Sequence, residues 1–226
     1  MDIKRQQEFP HDPAQAEAIQ TQLAHQIEIT QGPDQARLIG AADVAYHKHQ
    51  NIAYAAVILY DMQSHTVLEE ASWIGEPEYP YTSGLFSLRE APLLLRAFAK
   101  LQRTPEALLI DGHGIAHPRR FGLASHLGWS LDIPTVGVSK TPFFGDHAPV
   151  GDQRGDQAPI TDQGQIIGLS LCTQSHTKPV YVSPAHRFDM QSAYAFVLRC
   201  CTRYRQPEPL RKAHDFSIRL RAAAPL

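Results

Sequence analysis

Three consecutive β-rich runs near the start of the chain restrict its architecture more than any other feature. They span residues 37–46, 51–61 and 65–74 and are rich in residues that favour strands. Short turns such as Asp61-Met-Gln-Ser64 separate them. Runs joined this closely pair with their neighbours in the sequence, so the pattern predicts an antiparallel meander.

After the meander, strand-like and helix-like segments alternate. A strand at 107–111 and a strand at 134–138 flank a helix at about 119–128. Such alternation predicts parallel strands joined by crossover helices. Together the two patterns predict an α/β protein with a mixed central sheet, in which the meander is extended by parallel strands and flanked by helices. This is the layout of the ribonuclease H-like fold.

The other segments are assigned to helices, loops and two further strands. Asp12 and Pro13 start a helix that the apolar spacing extends to about residue 30, before Gly32-Pro33-Asp34 ends it. The expected later elements are a loop at 75–88, a helix at 89–102, a surface loop at 143–165, strands at 166–172 and 179–182, a helix capped by Asp189 whose apolar face extends to Tyr204, and a last helix that starts at Pro207.

Size and composition favour one domain, because 226 residues with 43% hydrophobic content can form one sizeable core. Residues 1–36 are expected to pack on it as an N-terminal helical segment, and residues 207–226 to form a basic helix and tail. No window is apolar enough to span a membrane, and the N-terminus lacks the apolar core of a signal peptide. Three cysteines give no disulfide framework. We therefore expect a cytoplasmic protein, and a monomer.

The charge is distributed unevenly along the chain, although its net value is only −2. Residues 199–226 hold seven Lys and Arg against Glu208 and Asp215, a net +5 that leaves −7 for the other residues. A basic end can contact phosphates. A solvated helix face is the simpler explanation, and the charge alone favours it.

Two aspartates interrupt apolar, strand-like stretches. Asp43 lies inside one such stretch, and Asp111 ends another, just before Gly112. A carboxylate at such a position is costly unless a cation is close to it. Glu90 adds a third carboxylate near a helix start. Carboxylates without a matching cysteine cluster suit Mg²⁺ or Mn²⁺, ions that commonly support phosphoryl chemistry on nucleic acids.

Each candidate residue also has an interpretation without a catalytic role. Asp43 could pair with a buried arginine, and Glu90 could serve only the helix dipole. His214 lies on a basic helix, where most histidines are surface residues or satisfied core residues. Lys140 follows a strand end, where a phosphate ligand and a plain surface lysine are equally good explanations. Asp111 is the strongest candidate, because open α/β sheets place their sites at the carboxyl ends of strands.

Several strings of the sequence together resemble the endonuclease V family of repair nucleases for deaminated purines. The similar strings are Gly40-Ala-Ala-Asp43-Val, Pro80-Tyr81, Gly84-Leu-Phe-Ser-Leu-Arg89-Glu90, Asp111-Gly-His-Gly-Ile-Ala-His117-Pro-Arg-Arg120, Gly122-Leu-Ala-Ser-His126-Leu-Gly128, Pro134-Thr-Val-Gly-Val-Ser-Lys140 and Pro207-Glu-Pro-Leu-Arg211-Lys-Ala-His214. They span about residues 37–216, and the stretch from 111 to 128 is the most specific.

The resemblance implies a repair endonuclease that hydrolyses the second phosphodiester 3′ to deoxyinosine in DNA and leaves a 3′-hydroxyl and a 5′-phosphate. It implies that Asp43, Glu90 and Asp111 bind Mg²⁺, for which Mn²⁺ could substitute. The other catalytic residues that it implies are His214, near the metal, and Lys140, at the scissile phosphate.

The same resemblance implies a set of substrate-binding residues. Tyr81 would enter the duplex beside the lesion. The other implied substrate contacts are Gly84, Leu85, Arg89, Gly112 and His117. Inosine in RNA remains an alternative substrate, and a nucleic-acid-binding scaffold without catalysis remains an alternative function.

Two positions depart from the family pattern. Thr82-Ser83 follows Tyr81 where the family usually has Ile or Val and a second proline, and the loss of that proline frees the loop. The later Gly-His pair of the family is Ala185-His186 here. That change affects how closely another group can approach the backbone near His186, and it does not affect the metal ligands.

Overall fold

The predicted meander forms one side of the central sheet. The computed structural model describes residues 1–33 and 35–223. In it β1 (Leu38–Tyr46), β2 (Ala53–Asp61) and β3 (Thr66–Gly75) pair antiparallel in sequence order. Every residue of β2 is buried, as its nearly continuous apolar sequence requires. The meander is therefore confirmed.

The predicted parallel strands are also present beside β1. Strand β4 (Ala107–Asp111) runs parallel to β1, and β5 (Thr135–Ser139) runs parallel to β4. Helix α3 (Leu123–Leu131) connects β4 to β5. Ala42 pairs with Ile110 at the last rung of the β1–β4 ladder, so the next residues, Asp43 and Asp111, leave the two strands side by side.

The second half of the sheet is antiparallel. Its strands are β6 (Asp146–His147), β7 (Gln157–Asp162), β8 (Gln165–Leu171) and β9 (Val180–Pro184), and the full strand order is β3-β2-β1-β4-β5-β9-β8-β7-β6. The expected surface loop at 143–165 is therefore wrong where it includes β6 and β7. Ala158 and Ile160 alternate with exposed residues and bury one face of β7. This alternating pattern is short, and the glycines, prolines and aspartates around it favour a loop, so the strand was not predicted.

Helices cover both faces of the sheet. Helices α4 (Met190–Cys200) and α5 (Glu208–Ala223) pack on one face, with Phe196 and Leu210 in the apolar cluster there. Helices α2 (Phe86–Phe98) and α3 pack on the other face. A mixed sheet flanked by helices is thus confirmed. The division of the chain into one domain stays a prediction, as does the role of the tail, whose last residues, 224–226, lie outside the described part.

Several predicted helix boundaries were wrong. Helix α1 (Pro13–Ala24) starts at the Asp12 cap as expected but ends well before residue 30. Beyond the helix, the Glu28 backbone N–H donates to His186 Nδ1, and the Glu28 carbonyl accepts from the Arg187 backbone N–H. Helix α2 spans 86–98 rather than 89–102, and α3 starts at 123 rather than about 119. Helix α4 ends at Cys200, before the expected Tyr204. Asp34, in the expected end signal, lies outside the described residues.

Within the described residues, no helix has both the length and the apolar character needed to cross a membrane. Helix α1 packs on the body through Leu23, which lies in a cluster with Phe121 and Trp129. The three cysteines, at 172, 200 and 201, are buried as free thiols.

Candidate active site

A cavity of about 410 Å³ opens at the strand ends where Asp43 and Asp111 lie. Its wall comes from the β1 and β4 ends, the start of α2, the segment after β4 and the segment after β5. The lining residues are Asp43, Val44, Tyr81, Ser83, Gly84, Phe86, Ser87, Glu90, Asp111, Gly112, His113, His117, Gly122, Leu123, Ser139, Thr141, Pro142 and Phe143. Three carboxylates that are distant in sequence therefore share one cavity.

Helix α5 holds the Asp43 carboxylate from the opposite side. The Ser217 hydroxyl hydrogen-bonds to Asp43 Oδ2, and His214 Nδ1 lies 3.2 Å from the same oxygen. Because residues three apart share one face of a helix, α5 presents both groups to Asp43 together. The His214 side chain remains about half exposed.

Glu90 is the most buried of the three carboxylates, with only 5% of the residue exposed. Tyr46 Oη donates a hydrogen bond to Glu90 Oε1 over 2.9 Å. The pKa of Glu90 is raised to about 8, chiefly by burial and also by the nearby Asp43 and Asp111 carboxylates, while the Tyr46 hydrogen bond opposes the rise. The carboxyl group is therefore mostly protonated at neutral pH without a cation beside it.

Asp111 faces a lysine. Lys140, just after β5, places Nζ 3.6 Å from Asp111 Oδ2. Burial raises the pKa of Asp111, and the positive charge of Lys140 opposes that rise. One lysine does not balance three neighbouring carboxylates, so the cavity carries an excess of negative charge when all three are ionised.

The donor set fits a hard divalent cation. Among residues 1–33 and 35–223, no three His, Cys, Asp or Glu side chains are already arranged as a metal cage. Each carboxylate is instead engaged by a different protein group. Mg²⁺ does not need such a cage, because it is usually bound by one or two carboxylates together with water and substrate phosphate. The mutual repulsion of the carboxylates is what a cation at this place would relieve.

The segment before α2 forms the rim of the cavity. Tyr81 has 74% of its surface exposed, and its ring meets that of Phe86 edge to face at 6.1 Å between ring centroids. Gly84 follows with φ +77°, a conformation that favours glycine. The Leu85 backbone N–H closes a turn by donating to the Thr82 carbonyl.

Two side chains fix the Gly84 carbonyl. His117 Nε2 lies 3.0 Å from it, and Arg119 Nη2 donates to it over 2.6 Å. The His117 Nδ1 accepts from the Arg119 backbone N–H, so Nε2 carries the proton and donates to Gly84. Burial lowers the pKa of His117 to about 3, which keeps the ring neutral.

Arg119 connects this clamp to α1. Its Nε donates to Gln20 Oε1 over 2.7 Å, and its Nη1 lies 3.3 Å from Glu17 Oε1. Gln20 is fully buried and also donates to the Ser87 hydroxyl on α2. We call Gln20, His117 and Arg119 the Gly84 clamp. It ties the cavity rim to a helix from the other end of the sequence.

Comparison with known proteins identifies the family. The endonuclease V family model matches residues 21–215. The chain belongs to the endonuclease V family. An endonuclease V from Azotobacter vinelandii is 41% identical over 207 residues, which cover 92% of this chain and 94% of that protein. Members of this family are nucleases, and this chain is accordingly a nuclease enzyme.

Solved endonuclease V structures share the fold. The endonuclease V of Streptomyces avermitilis superimposes with a TM-score of 0.91 at 38% identity and covers 96% of each chain. The endonuclease V of Ciona intestinalis, in complex with a 24mer DNA containing an inosine followed by a ribo-adenosine, has a TM-score of 0.81 at 22% identity and covers 93% of this chain and 98% of that one. The second comparison bears on the fold alone.

The structure places most of the predicted site residues together. Seven of them line the cavity: Asp43, Tyr81, Gly84, Glu90, Asp111, Gly112 and His117. Lys140 and His214 do not line it but contact its aspartates. The functions assigned to these residues stay predictions.

Leu85 and Arg89 lie outside the cavity wall. Leu85 is fully buried in a cluster with Tyr79 and Leu88. Arg89 donates to the Tyr79 carbonyl and to Asn51 Oδ1, and so holds the loop before α2. Both residues support the rim in this structure, and their roles in substrate binding stay predictions.

Four residues of the site were not found from the sequence: Tyr46, Arg119, Phe143 and Ser217. Ser217 carries one signal, its place three residues after His214 on the same helix. Tyr46 lies three residues after Asp43 on a strand, where no periodicity relates the two. Phe143, 44% exposed, contacts the rings of His113 and His117, and its segment was assigned to loop.

Close backbone approach behind the cavity depends on Gly114. A Cβ there would lie 2.1 Å from the Pro184 carbonyl oxygen, so no other residue fits. The departure at Ala185-His186 lies behind the cavity wall. Ala185 is in the core, and His186 is buried with Nε2 3.4 Å from Asp132 Oδ1.

Proposed function

We propose that this nuclease is a metal-dependent repair endonuclease that recognises deoxyinosine in DNA and hydrolyses the second phosphodiester 3′ to it, leaving a 3′-hydroxyl and a 5′-phosphate. One observation carries the proposal. Three carboxylates and a lysine converge at the mouth of a cavity whose rim bears a largely exposed tyrosine. We propose further that the protein acts as a monomer in the cytoplasm.

Asp43, Glu90 and Asp111 would hold Mg²⁺, or Mn²⁺ in its place. When bound, such an ion lowers the pKa of a water molecule and stabilises the leaving oxygen. His214 and Ser217 orient the Asp43 carboxylate toward the cavity. Lys140 is placed to put a positive charge on the scissile phosphate as negative charge develops there.

The cavity suits a base that has left the duplex. Its volume of about 410 Å³ lies within the range of roughly 300–1,000 Å³ that is usual for ligand pockets. Hypoxanthine pairs poorly with thymine, so it leaves the stack at a lower cost than a normal base. Tyr81 would then stack in the gap, while the Gly84 clamp holds the rim in place.

The proposal is tested by nicking of a duplex with one deoxyinosine, with Mg²⁺ and with chelator. Asp43→Ala or Asp111→Ala should abolish nicking and leave the melting temperature unchanged or higher, because each removes a ligand and a desolvated charge. Asp215→Ala is the matched control, since Asp215 is an exposed carboxylate on α5 that does not line the cavity. Nicking within tenfold of wild type in both variants would refute the metal site.

The main alternative is an inosine-directed ribonuclease with the same site. Cleavage of one inosine placed in a DNA strand and in an RNA strand of equal sequence separates the two functions. A scaffold without catalysis would bind both strands and cut neither. The intact set of Asp43, Glu90, Asp111 and Lys140 favours an enzyme over that scaffold.

A further inference from the structure

The turn between α4 and α5 carries an exposed aromatic side chain surrounded by arginines. The apolar spacing had placed Tyr204 on the buried face of α4, but α4 ends at Cys200 and Tyr204 is 41% exposed. The Arg211 guanidinium carbon lies 3.7 Å from the centre of its ring, and that of Arg203 lies 5.6 Å away. Both guanidinium groups lie within cation–π distance of the ring, and that of Arg211 is in direct contact with its face.

This turn is held in place and joined to the active site. The Arg205 carbonyl accepts from the Thr173 hydroxyl at the end of β8, and Cys201 Sγ lies 3.6 Å from the same oxygen. Arg205 Nη2 donates to the Lys140 carbonyl over 3.4 Å. Tyr204 therefore directly precedes Arg205, whose side chain contacts the backbone of Lys140, the lysine that faces Asp111.

Two of the arginines near Tyr204, Arg203 and Arg205, have no carboxylate partner among the described residues. Within the described part of the chain, no carboxylate lies within 4.0 Å of Arg203 or Arg205, and Arg211 reaches only Glu208, at 3.9 Å. Arg96 near Trp73 provides a contrast, because its guanidinium is 5.4 Å from a ring but pairs with Glu78 at 3.2 Å. Unlike Arg96, Arg203 and Arg205 keep their positive charge available to an external anion, while Arg211 shares its charge with Glu208.

We propose that Tyr204, Arg203, Arg205 and Arg211 form a binding site for an unpaired segment of the DNA strand next to the catalytic cavity. A base stacks on the aromatic and guanidinium surface, and the adjacent phosphates meet the remaining arginines. This site, the Tyr204 platform, would hold the strand on the Lys140 side of the cavity. It rests on the proposed function for the identity of the strand, but its binding is measurable without cleavage.

The test uses lesion-free oligothymidylate of about 15 nucleotides, within the usual footprint of such sites, in metal-free buffer. A second oligomer of equal length has abasic sugars, so it keeps the phosphates and lacks the bases. Affinities for both are measured by fluorescence anisotropy for Tyr204→Ala, Tyr204→Phe, Arg211→Lys and Arg96→Gln. Melting temperatures are recorded for each variant, so that misfolded protein is recognised.

Tyr204→Ala should weaken oligothymidylate binding roughly fivefold to a hundredfold, as the loss of one stacked base predicts. It should change binding of the abasic oligomer by less than about twofold. Tyr204→Phe keeps the ring and Arg96→Gln alters a remote ring contact, so both should bind like wild type. Arg211→Lys keeps the charge but loses the planar stack, so it should resemble Tyr204→Ala.

Two results would overturn the proposal. An equal loss on both oligomers means that the turn contributes only charge, and no loss on either means that it is solvated. Where Tyr204→Ala destabilises the fold, Arg211→Lys provides the same comparison on a folded protein. Absence of deoxyinosine nicking by the wild type would refute the proposed function and leave this binding result standing.

Discussion

At the scale of single residues, the sequence predicted the acidic groups better than the groups that hold them. Asp43 and Asp111 stand out because a carboxylate in an apolar strand is anomalous. Glu90 does not, since a glutamate in an early helical turn is common. The hydroxyls of Tyr46 and Ser217 have no anomaly of their own, because both residue types occur throughout strands and helices. Only the fold shows that they hydrogen-bond to these carboxylates.

Replacing Ser217 with alanine should slow nicking roughly tenfold to a hundredfold, the usual cost of losing a group that orients a metal ligand. The Ser217 hydroxyl is fully buried and hydrogen-bonds to Asp43 Oδ2. Rates are compared over a Mg²⁺ titration, where the variant should need more Mg²⁺ for half its maximal rate. Ser64→Ala, in an exposed turn, is the control. A Ser217→Ala titration that overlays wild type would show that Asp43 needs no such support.

Tyr81→Ala should reduce nicking of double-stranded deoxyinosine substrates more than nicking of single-stranded ones. With 74% of its surface exposed, the ring has little structural packing to lose. In a duplex it would replace a stack worth about 1–3 kcal/mol, whereas a single strand has no partner stack to replace. Nicking rates on both substrates decide the matter. Equal losses would indicate that Tyr81 orders the loop instead of probing the duplex.

At the scale of elements, the errors arose where tertiary contacts overrule local pattern. The apolar spacing of α1 continues past Ala24, yet the chain leaves the helix there to bond with His186 and Arg187. The start of α3 is delayed because residues 112–122 fold over the ends of β4 and β9, where the Ile115 N–H donates to the Pro184 carbonyl. His186, Arg187 and Pro184 are all distant in sequence from the segments that they contact. Local propensity and periodicity therefore cannot predict these contacts.

Arg119→Lys should disable lesion recognition without affecting general DNA binding. Lysine keeps the charge but cannot bridge the Gly84 carbonyl, Gln20 and Glu17 with one planar group. We expect kcat/KM on deoxyinosine DNA to fall about tenfold or more, with lesion-free binding unchanged. The control is Arg5→Lys, because Arg5 contacts Asp132 and the Trp129 carbonyl far from the rim. A matching fall in lesion-free binding would make Arg119 a phosphate ligand rather than a positioning residue.

At the scale of the whole molecule, the sequence predicted the half of the sheet that carries the site. The meander and the β4–α3–β5 unit follow from local patterns, and they alone bring Asp43 beside Asp111. The position of β9 between β5 and β8 could not be predicted, because antiparallel pairing across a long insertion depends on which edge remains open once β5 is in place. The turn at Tyr204 was wrongly predicted to be part of α4 for a related reason. The spacing of apolar residues cannot show where the chain must leave α4 and turn back to start α5.

The stability of the whole fold should depend on pH through His126, a histidine that is buried without charge. It is 4% exposed between the rings of Phe9 and Phe121, its Nδ1 has no hydrogen-bond partner in the described structure, and burial lowers its pKa to about 4. An unfolded histidine has a pKa of about 6.5. Between pH 4 and 6.5 the unfolded chain binds a proton on His126 that the folded protein does not bind. The contribution of the neutral His126 to the free energy of unfolding is therefore fully present above about pH 6.5 and is lost as the pH falls toward 4.

His126→Leu removes this proton, and denaturant unfolding from pH 4.5 to 8 measures the effect. Between pH 4.5 and 6, the free energy of unfolding should rise with pH less steeply in the variant, by about 1.4 kcal/mol per pH unit. Above pH 7.5 the two curves should run parallel, because the residue is neutral in both states there. The opposite contribution from Glu90, whose raised pKa makes the folded state bind more protons up to about pH 8, is common to both proteins and cancels in the difference. Curves that stay parallel down to pH 4.5 would mean that His126 takes up its proton in the folded state, and that the ring is hydrated where the structure places it among aromatic side chains.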